Sequence, residues 1–123
     1  MDLYTSKAAN ALKYAGKVAK KLRHSYIGSE HILLGLLRET DSMAGTILDG
    51  YGVYEEKIRE LISQLIAPEA TQAVMDPDGY TPRARRVLER AAQEAQALSS
   101  AQIGTEHLLL AILKEQDSVA ARL

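Results

Sequence analysis

No cysteine occurs among the 123 residues, so disulfides, thiolate catalysis and cysteine–zinc sites are excluded together. Net charge is nearly absent as well. Fifteen Lys and Arg against sixteen Asp and Glu leave -1 at pH 7, and no global field points to nucleic acid. No apolar run approaches the roughly 18 residues of a membrane-spanning helix. The opening MDLYTSKAAN, with Asp2 early and no apolar core, is not a secretory signal. A G-x-x-x-x-G-K-[ST] phosphate loop is missing, which excludes ATP binding in the P-loop manner. The three histidines, His24, His31 and His107, show no H-E-x-x-H spacing. Adjacent residues on a helix point about 100° apart, so neither Glu30-His31 nor Glu106-His107 chelates one ion well. No nucleophile–base–orienter set stands out. These absences describe a soluble, cytoplasmic chain with no catalytic residue, metal or cofactor, and with neither nucleic acid nor membrane as partner. The 46% hydrophobic and 25% charged content is that of a globular domain.

The positive signal is a repeat. Residues 27–44 read IGSEHILLGLLRETDSMA and residues 103–120 read IGTEHLLLAILKEQDSVA, 76 positions apart without a gap. The register extends upstream through Thr5/Thr81, Ala8/Ala84, Leu12/Leu88, Ala15/Ala91, Ala19/Ala95 and Leu22/Leu98. A gapless match this long is a tandem duplication. The chain is expected to be one domain over 1–123, with repeat 1 at about 4–66, a linker at 67–80 and repeat 2 at 81–123. The linker carries Pro68, Pro77 and Asp78-Gly79. Repeat 2 stops before any counterpart of the last helix of repeat 1, and Ala120 to Leu123 lacks a stop signal, so it reads as truncated.

Each copy reads as helices, giving an all-α fold of two pseudo-symmetric bundles around one core. Ala8, Leu12, Ala15, Ala19 and Leu22 form a stripe of period 3.6, while Lys7, Lys13, Lys17, Lys20 and Lys21 fall largely on the solvent side. Thr5 and Thr81 are expected N-caps, the second followed by proline at the first helical position. Ser29 and Thr105 are expected to cap the next helix, which is apolar nearly all round and belongs at the centre of the core. A short helix from Asp41-Ser42 to Leu48 follows. A fourth places Tyr54, Ile58, Leu61, Ile62, Leu65 and Ile66 on one face.

Candidate binding residues come in twins. Glu30 and Glu106, at the start of the apolar helix, suit the helix dipole by about 0.3–1 kcal/mol, and that alone accounts for them. They also match a ligand carrying both a guanidinium and an oxyanion, since a carboxylate takes the first while Thr hydroxyls and backbone amides take the second. Phosphoarginine is such a ligand. Tyr4 and Tyr80 precede the capping threonines, as hydrophobic staples or as the aromatic wall of a peptide groove. Arg83, Arg85 and Arg86 crowd a helix start, where the dipole disfavours cations, and so hint at an anionic partner.

The strings YIGSEHILLGLLRE (26–39), IGTEHLLLAILKE (103–115) and YTPRARRVLERA (80–91) resemble the Clp amino-terminal repeat domain of ClpC-type protein unfoldases. The resemblance covers almost the whole chain, and the duplicated I-G-[ST]-E-H-[IL]-L-L motif is highly specific. It implies a non-catalytic module on an AAA+ hexamer that feeds a ClpP-type peptidase. Such a module recruits protein substrates and adaptors of the MecA and McsB kind. It further implies phosphoarginine pockets at Glu30, Glu106, Thr5 and Thr81, and a peptide and adaptor surface at Tyr4, Tyr80, Arg85 and Glu89. Ser29 stands where the motif usually has Thr; Tyr80 and Arg85 stand where actinobacterial relatives carry phenylalanine and lysine. A free-standing adaptor made of this domain alone, or the N domain of a ClpB- or ClpA-type machine, are the alternatives.

Overall fold

In the computed structural model, which describes residues 3–65 and 78–115, the repeat register becomes a helix register. Helix α1 spans Ser6–Lys21, α2 Ser29–Arg38, α3 Met43–Gly50 and α4 Glu55–Leu65; after the linker come α5 at Pro82–Ala97 and α6 at Thr105–Lys114. α5 repeats α1 and α6 repeats α2, each pair equal in length and 76 positions apart. Ile66, most of the expected linker and the stretch 116–123 lie outside the described residues, as does any repeat-2 counterpart of α3 or α4.

The stripes do the packing. Ala8, Ala11, Ala15 and Val18 of α1 and Ala84, Val87, Leu88 and Ala91 of α5 are buried in a single cluster with the apolar residues of α2 and α6. Small side chains let helix axes approach, and the closest approach is at Gly35. A Cβ there would run into the backbone carbonyl of Ala11, so glycine is required for space rather than for conformation. Its twin is Ala111, also buried. Every residue of α2 from Ser29 to Leu37 is buried, as an all-round apolar helix requires. α6 is covered less completely: Leu37 is 8% exposed, whereas its twin Leu113 is 61% exposed. α3 packs on both α2 and α6, whereas α4 packs on α2. On α4, Ile58 and Ile62 are buried, but Tyr54 just ahead of it stays exposed.

Both long helices stop in the same way. Arg23 and Ser99, twins in the repeat, sit at φ 62° and 57°, the left-handed region. The N–H of the next residue reaches back in each case, His24 to the Ala19 carbonyl (2.9 Å) and Ser100 to the Ala95 carbonyl (2.8 Å). This is the Schellman termination, normally given to glycine because a Cβ is strained there.

The halves exchange strands of one residue. Thr5 N–H donates to the Ile103 carbonyl (2.9 Å) and Ile103 N–H to the Leu3 carbonyl (2.9 Å); Thr81 N–H donates to Ile27 (3.0 Å) and Ile27 N–H to Gly79 (2.8 Å). These parallel bridges, Tyr4 with Ile103 and Ile27 with Tyr80, are the only extended pairing among the described residues.

The left-handed helix ends give a direct test. Arg23→Gly and Ser99→Gly each relieve Cβ strain of about 1–2 kcal/mol but loosen the unfolded chain by about 0.4–1 kcal/mol. Each is expected to raise unfolding free energy modestly, by about 0.5 kcal/mol, in urea denaturation.

Candidate functional site

The crossed bridges decide which candidate residues meet. Thr5 lies beside the Ile103-Gly104 strand that leads to Glu106, and Thr81 beside the Ile27-Gly28 strand that leads to Glu30. Each threonine therefore neighbours the lead-in to the short helix of the other half. Thr5 and Thr81 are N-caps as expected, with their Oγ1 atoms accepting from Ala8 N–H (3.1 Å) and Ala84 N–H (3.0 Å). Each hydroxyl still has its own proton to donate.

The caps of α2 and α6 are a correction. Gly28 and Gly104, not Ser29 and Thr105, occupy the N-cap positions. Glycine offers no side-chain acceptor, and the histidine three residues on supplies the missing interaction. Gly28 N–H donates to His31 Nδ1, and Gly104 N–H to His107 Nδ1, both at 2.8 Å. Displaced into the first turn, Ser29 and Thr105 are buried, and Thr105 Oγ1 accepts from Ala44 N–H (3.3 Å), tying α6 to the start of α3. The signal for this arrangement was in the sequence as Gly-x-x-His, hidden by the better-known capping preference of Ser and Thr.

Glu30 and Glu106 fold back over those glycines, since a Cβ on Gly28 or Gly104 would collide with the carboxylate two residues on. They differ in access. Glu30 is 4% exposed, and burial raises its pKa against the opposing pull of its own backbone N–H. The Glu106 side chain is 37% exposed. Next to Glu30 stands Tyr26, whose hydroxyl pKa is pushed up to about 12 by burial and then by the Glu30 charge.

Repeat 1 also holds a histidine pair that repeat 2 lacks. With His31 Nδ1 accepting from Gly28, its proton belongs on Nε2, which donates to His24 Nδ1 at 2.7 Å. In repeat 2 the same place is taken by Ser100 Oγ, 3.3 Å from His107 Nε2. His24 stacks on Tyr26 with centroids 5.2 Å apart. Burial lowers the His24 pKa, and burial with the neighbouring His24 lowers that of His31 to about 3.

Tyr4, Tyr80 and Arg85 converge where the two halves meet. The Arg85 guanidinium lies 5.2 Å from the Tyr80 ring centroid and 3.2 Å from the Asp78 carboxylate. Burial raises the Tyr4 pKa, and the Arg85 charge acts on it in the opposite sense. Glu89 follows one turn along α5, exposed. Among the described residues no group of three His, Asp or Glu side chains could hold a metal ion, and no helix is long and apolar enough to cross a membrane.

A duplicated, all-helical domain whose halves are joined by crossed bridges and carry matching Gly-x-Glu-His helix starts defines a narrow class. The chain belongs to the Clp repeat (R) N-terminal domain family, whose profile matches residues 3–123. It is 41% identical over 118 residues to the ATP-dependent Clp protease ATP-binding subunit ClpC of Staphylococcus saprophyticus. Identity is 40% over 121 residues to the negative regulator of genetic competence ClpC/MecB of Bacillus subtilis. These matches span 96% and 97% of this chain but 14% of each relative's length. Its structure is similar to the N-terminal domain of the chaperone ClpD from Arabidopsis thaliana, with TM-score 0.78 and 26% identity, covering 98% of this chain and 81% of that one.

Two stability measurements follow from the buried groups. A raised carboxyl pKa means the native state resists ionisation, so the stability present below the unfolded carboxyl value of about 4.3 is lost as pH rises from there through the raised native value. Glu30→Gln is therefore expected to raise the melting temperature at pH 7 by roughly 2–5 °C, with a smaller gain at pH 4. Lowered histidine pKa values have the opposite consequence: the unfolded chain takes protons first, so stability falls as pH drops below about 6.5. In urea titrations from pH 7 to pH 4, His24→Ser, which copies repeat 2, should lose less stability than the parent chain.

Proposed function

We propose that this chain is a non-catalytic docking domain that recruits proteins to a ClpC-type ATP-driven unfoldase in the cytoplasm, with phosphoarginine as one recognised tag. Family membership and the ClpC relatives support the recruiting role. The observation that supports the tag reading is the exchange between halves, in which the backbone N–H of each capping threonine bonds to the strand leading into the other half's glycine–glutamate helix start. A guanidinium hydrogen-bonds a carboxylate in bidentate fashion, and a phosphoryl group takes hydroxyl and amide donors at a helix start. Thr5 with Glu106 and Thr81 with Glu30 supply both kinds of group twice.

The two pockets are unequal. Glu106 is open to a ligand, whereas Glu30 is buried and has a raised pKa, so the second pocket must open before it binds. Two weak pockets per domain, multiplied over the AAA+ hexamer proposed for the whole protein, favour multiply tagged substrates through effective concentration. Adaptors of the MecA and McsB kind are assigned to the surface of Tyr4, Tyr80, Arg85 and Glu89. There the two tyrosines supply rigid apolar area and Arg85 supplies direction. A ClpP-type peptidase would act downstream on what the ring unfolds.

Calorimetric titration of free phosphoarginine tests the tag reading. Glu106→Ala is expected to weaken binding at least tenfold and Glu30→Ala less. The double variant should show no measurable heat. Unchanged binding by the double variant rejects the site assignment, and no binding by the parent chain leaves only the adaptor role.

A further inference from the structure

Repeat symmetry breaks on the solvent face of the first long helix. Lys13, Lys17 and Lys20 are spaced to share one face of α1, and their twins on α5 are Glu89, Gln93 and Gln96. A chain with net charge -1 thus concentrates three cations on one half and none on the corresponding face of the other. All three are exposed, and none forms an ion pair or side-chain hydrogen bond among the described residues. By contrast, Lys114, Arg59, Arg85, Arg86 and Arg90 all have carboxylate partners. Helical charges left unpartnered at this spacing repel one another by a few tenths of a kcal/mol per pair, so the arrangement works against α1 in isolation.

The lysines border a cleft of about 480 Å³. Gly16 leaves its wall open: a Cβ there would find only Ile27 Cδ1, at 3.7 Å. Ala19, Ile27 and Gly79 add apolar lining, and His24, Ser25 and Tyr26 close one end. Tyr26 is 3% exposed, and its hydroxyl is the one buried side-chain polar atom among the described residues with no hydrogen-bond partner. The acidic groups nearby are already engaged: Asp78 pairs with Arg85, and Glu30 is buried.

We propose that this cleft, which adjoins the Thr81–Glu30 pocket without including either residue, is a second docking site for an acidic peptide segment with an apolar side chain. The apolar group would lie over Gly16 and Ile27, and carboxylates would meet Lys13, Lys17 and Lys20. The site rests on the protein-docking reading above but not on phosphoarginine. A peptide fits the combination of an apolar lining with a cationic border, whereas a membrane surface or RNA would use the cations and leave the lining empty. Only repeat 1 carries the site, so each chain takes one such segment.

The test is fluorescence anisotropy of the whole 123-residue chain with a labelled ten-residue peptide alternating glutamate and leucine, against the same peptide with glutamine for glutamate. The acidic peptide should bind at least tenfold more tightly than its glutamine counterpart. That binding should weaken at least tenfold in Lys13→Glu/Lys17→Glu/Lys20→Glu, in the milder triple Lys→Gln variant, and at 0.5 M NaCl. Gly16→Leu, which fills the cleft, should weaken it too, while phosphoarginine binding stays at the parent value in every variant. Equal binding of the two peptides, unchanged affinity in both triple variants, or no binding at all overturns the proposal. So does lysine-dependent binding to phosphatidylglycerol vesicles or single-stranded RNA without binding of the peptide. Loss of phosphoarginine binding in the parent chain would instead sink the tag reading alone.

Discussion

Four backbone hydrogen bonds, two at each crossed bridge, hold the lead-in of each long helix against the glycine strand of the opposite half. Each places the cap of a long helix and the cap of a short one side by side, so both caps are set by one local geometry. The bridges are short, but the groups they satisfy would otherwise be unpaired amides and carbonyls next to a core, where an unmade hydrogen bond is expensive. The duplicated core then follows, because α1 with α2 and α5 with α6 can close on a common set of apolar side chains only when their starting points are fixed in this way.

From that constraint the chemistry of the site takes its form. A glycine at the cap leaves room for the carboxylate two residues on, and a histidine three residues on occupies the glycine N–H. The glutamates are therefore pressed against the helix start, where the dipole favours their charge and burial opposes it. For Glu30 burial wins; the Glu106 side chain is the more accessible of the two. Two identical motifs thus yield two different pockets because their surroundings differ: Tyr26 and the His24–His31 pair on one side, Gln102 and Ser100 on the other.

Duplication with divergence is visible at three levels. Core positions keep their small or apolar character across the halves, since volume changes there are penalised. Cap positions keep Thr5/Thr81, which accept from orphan backbone N–H groups, and Gly28/Gly104, which leave room for the glutamate carboxylates. The solvent face differs most, with lysine on one half and glutamate or glutamine on the other. Arg85 belongs to this third level too, held by Asp78 on one side and the Tyr80 ring on the other.

The sequence by itself determined the helical class, the twofold repeat, the threonine caps, the central burial of α2 and the candidate status of Glu30, Glu106, Tyr4, Tyr80 and Arg85. All of these are local: periodicity, capping and repeat register involve residues within a few turns of one another or in direct alignment. Tertiary structure alone decided that Thr5 and Thr81 lie against the glycine strand of the other half, and that Glu30 is sealed while Glu106 is not. Those outcomes depend on contacts between segments some 50 to 100 residues apart, and on desolvation, which is set by everything packed around a group rather than by its neighbours in the chain.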